Sequence, residues 1–208
     1  MVAENKVHRR RGKALEDAIL DATWQLIQTT GYLNMTMDDI AKSAHTNKNA
    51  IYRRWKTKLD VGIAAMRKNV PFQKFYLPDN GNLRADLIEL LSESVPTVHL
   101  IGIKNIKEIA RDAFKTINEP GGINVKQFST HPDQTPSEGN FITQNLLKIL
   151  KRSFDRNEIE TDPASFDPTV MNLPLLLMMS RIIGEEAYNL ETVTFFVDKV
   201  LLPVFKSQ

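Results

Sequence analysis

The chain has 208 residues, 42% of them hydrophobic and 25% charged, with no cysteine. Such a composition suits a folded protein of one large or two modest domains, and it excludes disulfides, thiolate metal sites and cysteine redox sensing. The net charge of +2 hides a division: residues 1–68 carry 13 Lys or Arg against 7 Asp or Glu, a net +6, whereas residues 69–208 carry 14 against 18, a net −4. Positive charge gathered in the first third fits a polyanionic partner, because neutralising phosphates releases counterions and drives sequence-independent affinity.

The opening stretch MVAENKVHRRRGK holds His8, Arg9, Arg10, Arg11 and Lys13, with no apolar residue after Val7 to anchor it. Residues 1–12 read as a flexible basic arm, either a solvated tail or a segment that lies along phosphates or in a minor groove. No signal-peptide core follows, and no run approaches the 18 or so apolar residues of a membrane span. A cytoplasmic protein without membrane contact is expected. From about Lys13 to Thr30, Leu15, Ile19, Ala22 and Leu26 recur at helical spacing, and Trp24 and Ile27 broaden the stripe. Gly31 is placed to end that helix in the left-handed conformation.

The next stretch, TMDDIAKSAHTNKNAIYRRWKTK from Thr36 to Lys58, carries most of the functional information. Thr36 with Asp39, and Thr57 with Asp60, have the spacing of capping boxes, and Asn47 is the best cap for a short helix between them. Ile40, Ala41, Ala44 and Ile51 then fall inward, leaving Lys48, Asn49, Tyr52, Arg53 and Arg54 on a polar face. Two short helices joined by a tight turn, the second one basic, form a helix-turn-helix pattern whose partner is double-stranded DNA. An ordinary helical hairpin with a solvated basic face is the alternative.

Taken together, ILDATWQLIQTTGY, TMDDIAKSA, NKNAIYRRW and KTKLD resemble the N-terminal domain of the TetR family of bacterial transcription regulators across residues 13–68. The resemblance implies a three-helix DNA-binding head on a helical, ligand-binding and dimer-forming body. It also implies that Lys48, Asn49 and Ala50 face base edges and that Tyr52 and Lys58 contact phosphates. Thr36, Thr46, Asn47, Arg53, Arg54 and Lys56 complete the expected DNA-binding set. Two positions depart from the family pattern: His45 stands where glycine is usual, and Thr46 where an aliphatic residue is usual. Histidine tolerates positive φ, and the Thr46 hydroxyl needs a polar partner near the small core.

A fourth helix over about 58–69 leaves the head and stops before Pro71. PFQKFYLPDNGN reads as a linker, with Asn82 capping the next helix. Gly81, Leu83, Arg84, Asp86 and Leu87, and later RNEIETD at 156–162, are similar to features of the C-terminal domain in one TetR subgroup, with Asn157 replacing a glycine. Helices are expected at about 83–95, 97–117, 138–156, 168–184 and 191–205, with Pro96 dividing the first two. Glu119–Ser137 reads as a long loop with a helical turn around Val125–Phe128. The expected architecture is all-α: a flexible arm at 1–12, a helix-turn-helix domain with its connecting helix at 13–68, and a helical effector-binding and dimerisation domain at 69–208.

Four dispersed histidines, at positions 8, 45, 99 and 131, give no ligand spacing, and no phosphate loop, nucleophile elbow or HExxH helix occurs. Glu185 and Glu186, read as helical neighbours, point apart and are surface charge. No enzyme activity, cofactor or metal is therefore expected. LPLLLMMSRII (173–183) and FFVDKVLLPVF (195–205) are apolar nearly all round and read as buried helices, which the resemblance places in a homodimer interface. Phe72, Phe75, Leu91, Ile101, Ile106, Phe114, Phe141, Leu147, Met178 and Met179 could line an apolar cavity for a small hydrophobic effector. The resulting expectation is a repressor released from a palindromic operator by such an effector. The alternative is an architectural or protein-interaction DNA-binding protein without one.

Overall fold

Local capping sets the boundaries of the N-terminal helices. A computed structural model describes residues 12–70, 77–115 and 141–208, whose regular structure is entirely helical. The chain divides into two units, Met1–Pro71 and Phe72–Gln208. In the first, α1 (Lys13–Thr29) is closed by Gly31, which takes φ 83° and donates its N–H to Leu26 O at 3.1 Å. Then come α2 (Met37–Ser43), α3 (Lys48–Tyr52) and α4 (Lys58–Asn69). Both capping boxes form: the Asp39 N–H donates to Thr36 Oγ1 at 3.2 Å, and the Asp60 N–H to Thr57 Oγ1 at 3.1 Å. Val70 is extended (ψ 128°), as a residue before proline must be, and α4 stops there.

α1 packs on α2 and α4, and α2 packs on α3. The apolar spacing of each helix meets in one small core, where Ile19, Ile27, Tyr32, Ile40, Ile51, Val61 and Ala65 are buried. Gly62 allows the close approach of the Tyr32 ring, since a Cβ there would lie 3.1 Å from a ring carbon. Buried Thr23 returns its hydroxyl proton to Ile19 O within the same helix. Lys68 fastens the end of α4 to α1, with Nζ 2.8 Å from Asp21 Oδ1 and 3.2 Å from Asp17 Oδ1.

The second unit contains α5 (Leu83–Ser92), α6 (Ser94–Ile101), α7 (Ile103–Lys115), α8 (Phe141–Asp155), a 3₁₀ turn (Pro163–Ser165), α9 (Pro168–Ile183), α10 (Leu190–Phe196), a π turn (Val197–Leu201) and α11 (Leu202–Lys206). α5, capped by Asn82, lies against α8, α10 and the π turn. Leu83, Leu87 and Leu90 meet Leu146, Ile149, Leu150, Val193, Val197 and Leu201 in the core. Asn157 ends α8 at φ 57°, doing the work usually left to glycine. No helix among the described residues is long and apolar enough to cross a membrane.

A buried ionic network ties α5 to the end of α8. The fully buried Asp86 carboxylate accepts the Asn80 N–H at 2.6 Å and faces Arg156 at 3.4 Å; Arg156 also pairs with Glu158 at 2.6 Å. Glu158 in turn accepts the Leu83 N–H at 2.7 Å. Partial burial works against the Arg156 charge, but the bonds to Glu158 and Asp86 more than offset it and hold its pKa above the ordinary arginine value.

Three helix boundaries differ from the sequence reading. Pro96 does not divide α5 from α6. The break is at Glu93, and Pro96 is the third residue of α6, where an N–H would have no intrahelical acceptor anyway. The helix expected at 97–117 is instead cut at Gly102, whose φ of 87° leaves the helical region. The helix expected at 191–205 widens into the π turn just before Pro203, whose ring and missing N–H do not fit an α-register turn. Glu185 and Glu186 lie in the turn after α9 rather than on a helix, and each is paired, with Lys107 and Arg181 respectively. The arm residues 1–11, residues 71–76 of the expected linker, the expected turn at Val125–Phe128 and the rest of the Glu119–Ser137 loop lie outside the described residues.

Asp86→Ala is expected to destabilise the protein by about 1–3 kcal/mol, because it leaves the Asn80 N–H without its acceptor and removes one of the carboxylates that hold the Arg156 guanidinium. Urea unfolding followed by helical circular dichroism measures this. A loss of under about 1 kcal/mol would show that Arg156 is satisfied without Asp86.

Candidate nucleic-acid interface

α3 has only five residues, far too few to persist alone, so its position is set by what surrounds it. Ala44 closes α2, and His45 turns the chain at φ 52°. The Thr46 N–H then reaches back to Ala41 O at 2.9 Å. Asn47 is extended and accepts the Ala50 N–H on its side-chain oxygen at 3.0 Å, starting the helix. Ala50 and Ile51 are buried, which turns the opposite side of α3 to solvent.

That exposed side carries Lys48, Asn49, Tyr52 and Arg53, and Arg54 and Lys56 follow it. The cations differ in how far they are engaged. Lys48 Nζ lies 2.9 Å from Asp38 Oδ2 on the first turn of α2, and the hydrogen bond and charge of Asp38 hold its pKa above the usual lysine value. Arg54 donates to Ala50 O at 3.3 Å and lies 3.8 Å from Glu16 on α1. Lys58 donates to Tyr32 O and Leu33 O at 3.1 and 3.2 Å and sits 4.4 Å above the Tyr32 ring. Its partners are carbonyls and a π face, and among the described residues no carboxylate pairs with it. Asn49, Arg53 and Lys56 have no side-chain partner among the described residues.

The other predicted DNA-binding residues fall into place around this face. Thr36 is exposed, but its hydroxyl is committed to Asp39, donating to Oδ2 at 2.6 Å. Those Thr36 hydrogen bonds also lower the Asp39 pKa. Thr46 is half-buried and lines, with Asp38, Lys42, Asn47, Lys48 and Asn49, an open hollow between α2 and α3. Ala50 is a correction: at 2% exposed it offers no side-chain surface, because the residue that Asn47 caps points into the head. Asp38 is not among the residues the sequence singles out. It is ten residues from Lys48 and at no helical spacing to it, and only the intervening turn brings the two together.

The predicted apolar lining is dispersed. Leu91 belongs to the core of the second unit, with Ile106 and Met178 packed against it, and Ile101 is buried. Met179 is half-buried. Phe114 is 64% and Leu147 43% exposed. Leu147 follows inward-facing Leu146 by about 100° of helical turn, and Phe114 lies about 140° round from Ile109, the buried residue of α7. Phe72 and Phe75, and the side chain of Phe141, lie outside the described residues. Among those residues no three His, Asp or Glu converge as a metal site.

Residues 19–65 match the family model described as bacterial regulatory proteins, tetR family. The HTH-type transcriptional regulator Rv1556 of Mycobacterium tuberculosis is 29% identical over 195 residues, covering 90% of this chain and 86% of its own. The HTH-type transcriptional regulator AqdR of Rhodococcus erythropolis is 33% identical over 166 residues, covering 74% and 69%. In fold, a transcriptional regulator from Saccharomonospora viridis, solved in complex with choline, superposes with a TM-score of 0.59 at 18% identity, covering 90% of this chain and 95% of its own. The matched segment contains the capped turn and α3 described above, and similarity to the two regulators runs well beyond it into the second unit. This chain is accordingly a member of the TetR family of DNA-binding transcriptional regulators.

Proposed function

We propose that the chain is a homodimeric repressor that binds a palindromic double-stranded operator through α3 of each subunit and leaves it when a small hydrophobic effector binds the second unit. The observation that carries this reading is the solvent-facing side of α3, where Asn49 and Arg53 carry no partner among the described residues and Lys48 and Tyr52 stand beside them. Asn49 and Lys48 read base edges in the major groove, while Tyr52, Arg53, Arg54, Lys56 and Lys58 meet phosphates on either side.

Dimer formation is supported by the apolar side chains that α9 and α10 leave in solvent: Leu176, Ile183, Leu190 and Phe195 are each more than half exposed. Large apolar side chains left in solvent on successive elements mark an interface, and a two-fold pair of heads matches the symmetry of a palindrome. The regulator solved with choline supports small-molecule binding by a protein of this fold. For this chain the effector is received within the apolar second unit. Its binding acts on α4. Because Lys68 clamps α4 to α1, displacement of α4 carries the whole head, and half-sites about 34–36 Å apart tolerate little of that.

Selection from a randomised duplex library, followed by quantitative mobility shifts, tests the reading; a protein that enriches no palindrome is not this repressor. With the operator in hand, Lys58→Ala is expected to weaken specific and random DNA alike and to flatten the slope of log affinity against log salt by about one unit for each phosphate no longer neutralised. It should also lower head stability by about 1 kcal/mol, since the hydrogen bonds of Lys58 to the Tyr32 and Leu33 carbonyls and its contact with the Tyr32 ring are lost. An unchanged slope in the folded variant removes Lys58 from the phosphate-binding set.

Asn49→Ala should relax preference at one base position per half-site, with about 1–3 kcal/mol of discrimination removed if the amide is bidentate to adenine. Identical base preferences in the two selections would make Asn49 a plain surface residue. For release, an effector found by thermal-shift screening should bind more weakly to the operator complex by the same factor by which it weakens operator binding, typically about 5- to 150-fold. Calorimetry with and without saturating operator reads this directly, and equal affinities would favour a DNA-binding protein with no effector control.

A further inference from the structure

Lys48 is the one cation on the exposed side of α3 that is paired with a carboxylate among the described residues, and among those residues that carboxylate pairs with no other cation. Asp38 is the second residue of α2, next to Asp39, which makes the capping box with Thr36. Asp38 takes no part in that box. Its carboxylate points across the hollow to Lys48 Nζ at 2.9 Å, with both side chains about half exposed. An exposed pair like this adds little to stability, so holding α2 to α3 does not account for it. The capped turn and the buried Ala50 and Ile51 already do that.

We infer that Asp38 is a specificity-determining positioning residue, which aims the Lys48 ammonium at a base edge and withholds its charge from phosphates. The inference rests on the proposed role of α3 as the DNA-reading element. A lysine is a point charge on a flexible four-carbon stem, and left alone beside a duplex it goes to the strongest nearby anion, a phosphate. Such a contact carries no sequence information. One of its three N–H donors is held by Asp38, leaving two for other acceptors, which matches in number the paired O6 and N7 acceptors that guanine presents in the major groove. The pair is also close to neutral as a unit. Lys48 therefore adds little to counterion release on random DNA, and its contribution is confined to sites where the acceptors lie in the right place.

The test uses the full-length protein, a random-sequence duplex and the operator recovered by selection with the wild type. Asp38→Asn retains size and leaves the Thr36–Asp39 box intact. It is expected to steepen the salt slope on the random duplex by about one unit per subunit as the lysine charge becomes available. The ratio of operator to random affinity should fall roughly tenfold per half-site, with preference relaxed at a single base position. Lys48→Ala should relax preference at that same position, and adding Asp38→Asn to Lys48→Ala should then change base preference no further. If Asp38→Asn raises affinity for every sequence equally and leaves all base preferences intact, Asp38 is merely a repulsive charge and the inference is overturned. If Lys48→Ala alters base preference and Asp38→Asn does not, positioning by Asp38 is overturned while the DNA-reading role of α3 stands. If neither Lys48→Ala nor Asn49→Ala alters base preference or affinity, the role of α3 fails, and the inference with it.

Discussion

A helix of five residues cannot hold itself together, and the proposed DNA-reading role of α3 depends on holding one in place. The nucleation cost of α3 is offset by three local arrangements acting within ten residues: the left-handed turn at His45, the return of the Thr46 N–H to Ala41 O, and the Asn47 cap on Ala50. Burial of Ala50 and Ile51 then fixes the rotation of α3 about its axis. Every side chain that reaches toward a partner from α3 inherits its direction from that rotation. Histidine in the left-handed position is tolerated at a modest energetic cost, and the turn forms with it.

The charge of the first unit is divided by geometry into two populations. Lys68 and Arg54 lie against acids of α1, Asp17, Asp21 and Glu16, and contribute to holding the helices together. Lys58 rests on carbonyls and an aromatic face, which fix its position, and no carboxylate pairs with it among the described residues. Arg53 and Lys56 stand free of partners among the described residues. A net +6 over 68 residues therefore overstates what the described face offers to phosphates, because part of it is internally neutralised. The ionic network of the second unit, centred on buried Asp86 and Arg156, works differently. It lies where α5 meets the end of α8 and satisfies a buried carboxylate and the backbone donors beside it.

What the sequence determined by itself lay within a helical turn or two. The capping boxes at Thr36 and Thr57, the Asn47 and Asn82 caps, and the left-handed residues Gly31, His45 and Asn157 were all legible, because each depends on residues at most a few positions apart. The inward set of the helix-turn-helix followed from its spacing. Tertiary structure decided the rest. Pro96 reads as a break because a proline in the first turn of a helix looks, in sequence, like one that ends it. The break at Gly102 comes where that glycine takes φ 87°, and the π turn comes just before Pro203; glycine and proline are each compatible with other backbone states, so the residue type alone did not mark them. Ten candidate lining residues could be chosen by type, but which way Leu147 or Phe114 faces depends on the neighbours that claimed the other side of its helix. The Asp38–Lys48 pair is the clearest case. It spans ten residues with a turn between them, so no periodicity reveals it, and only the folded turn sets the two charges within 2.9 Å.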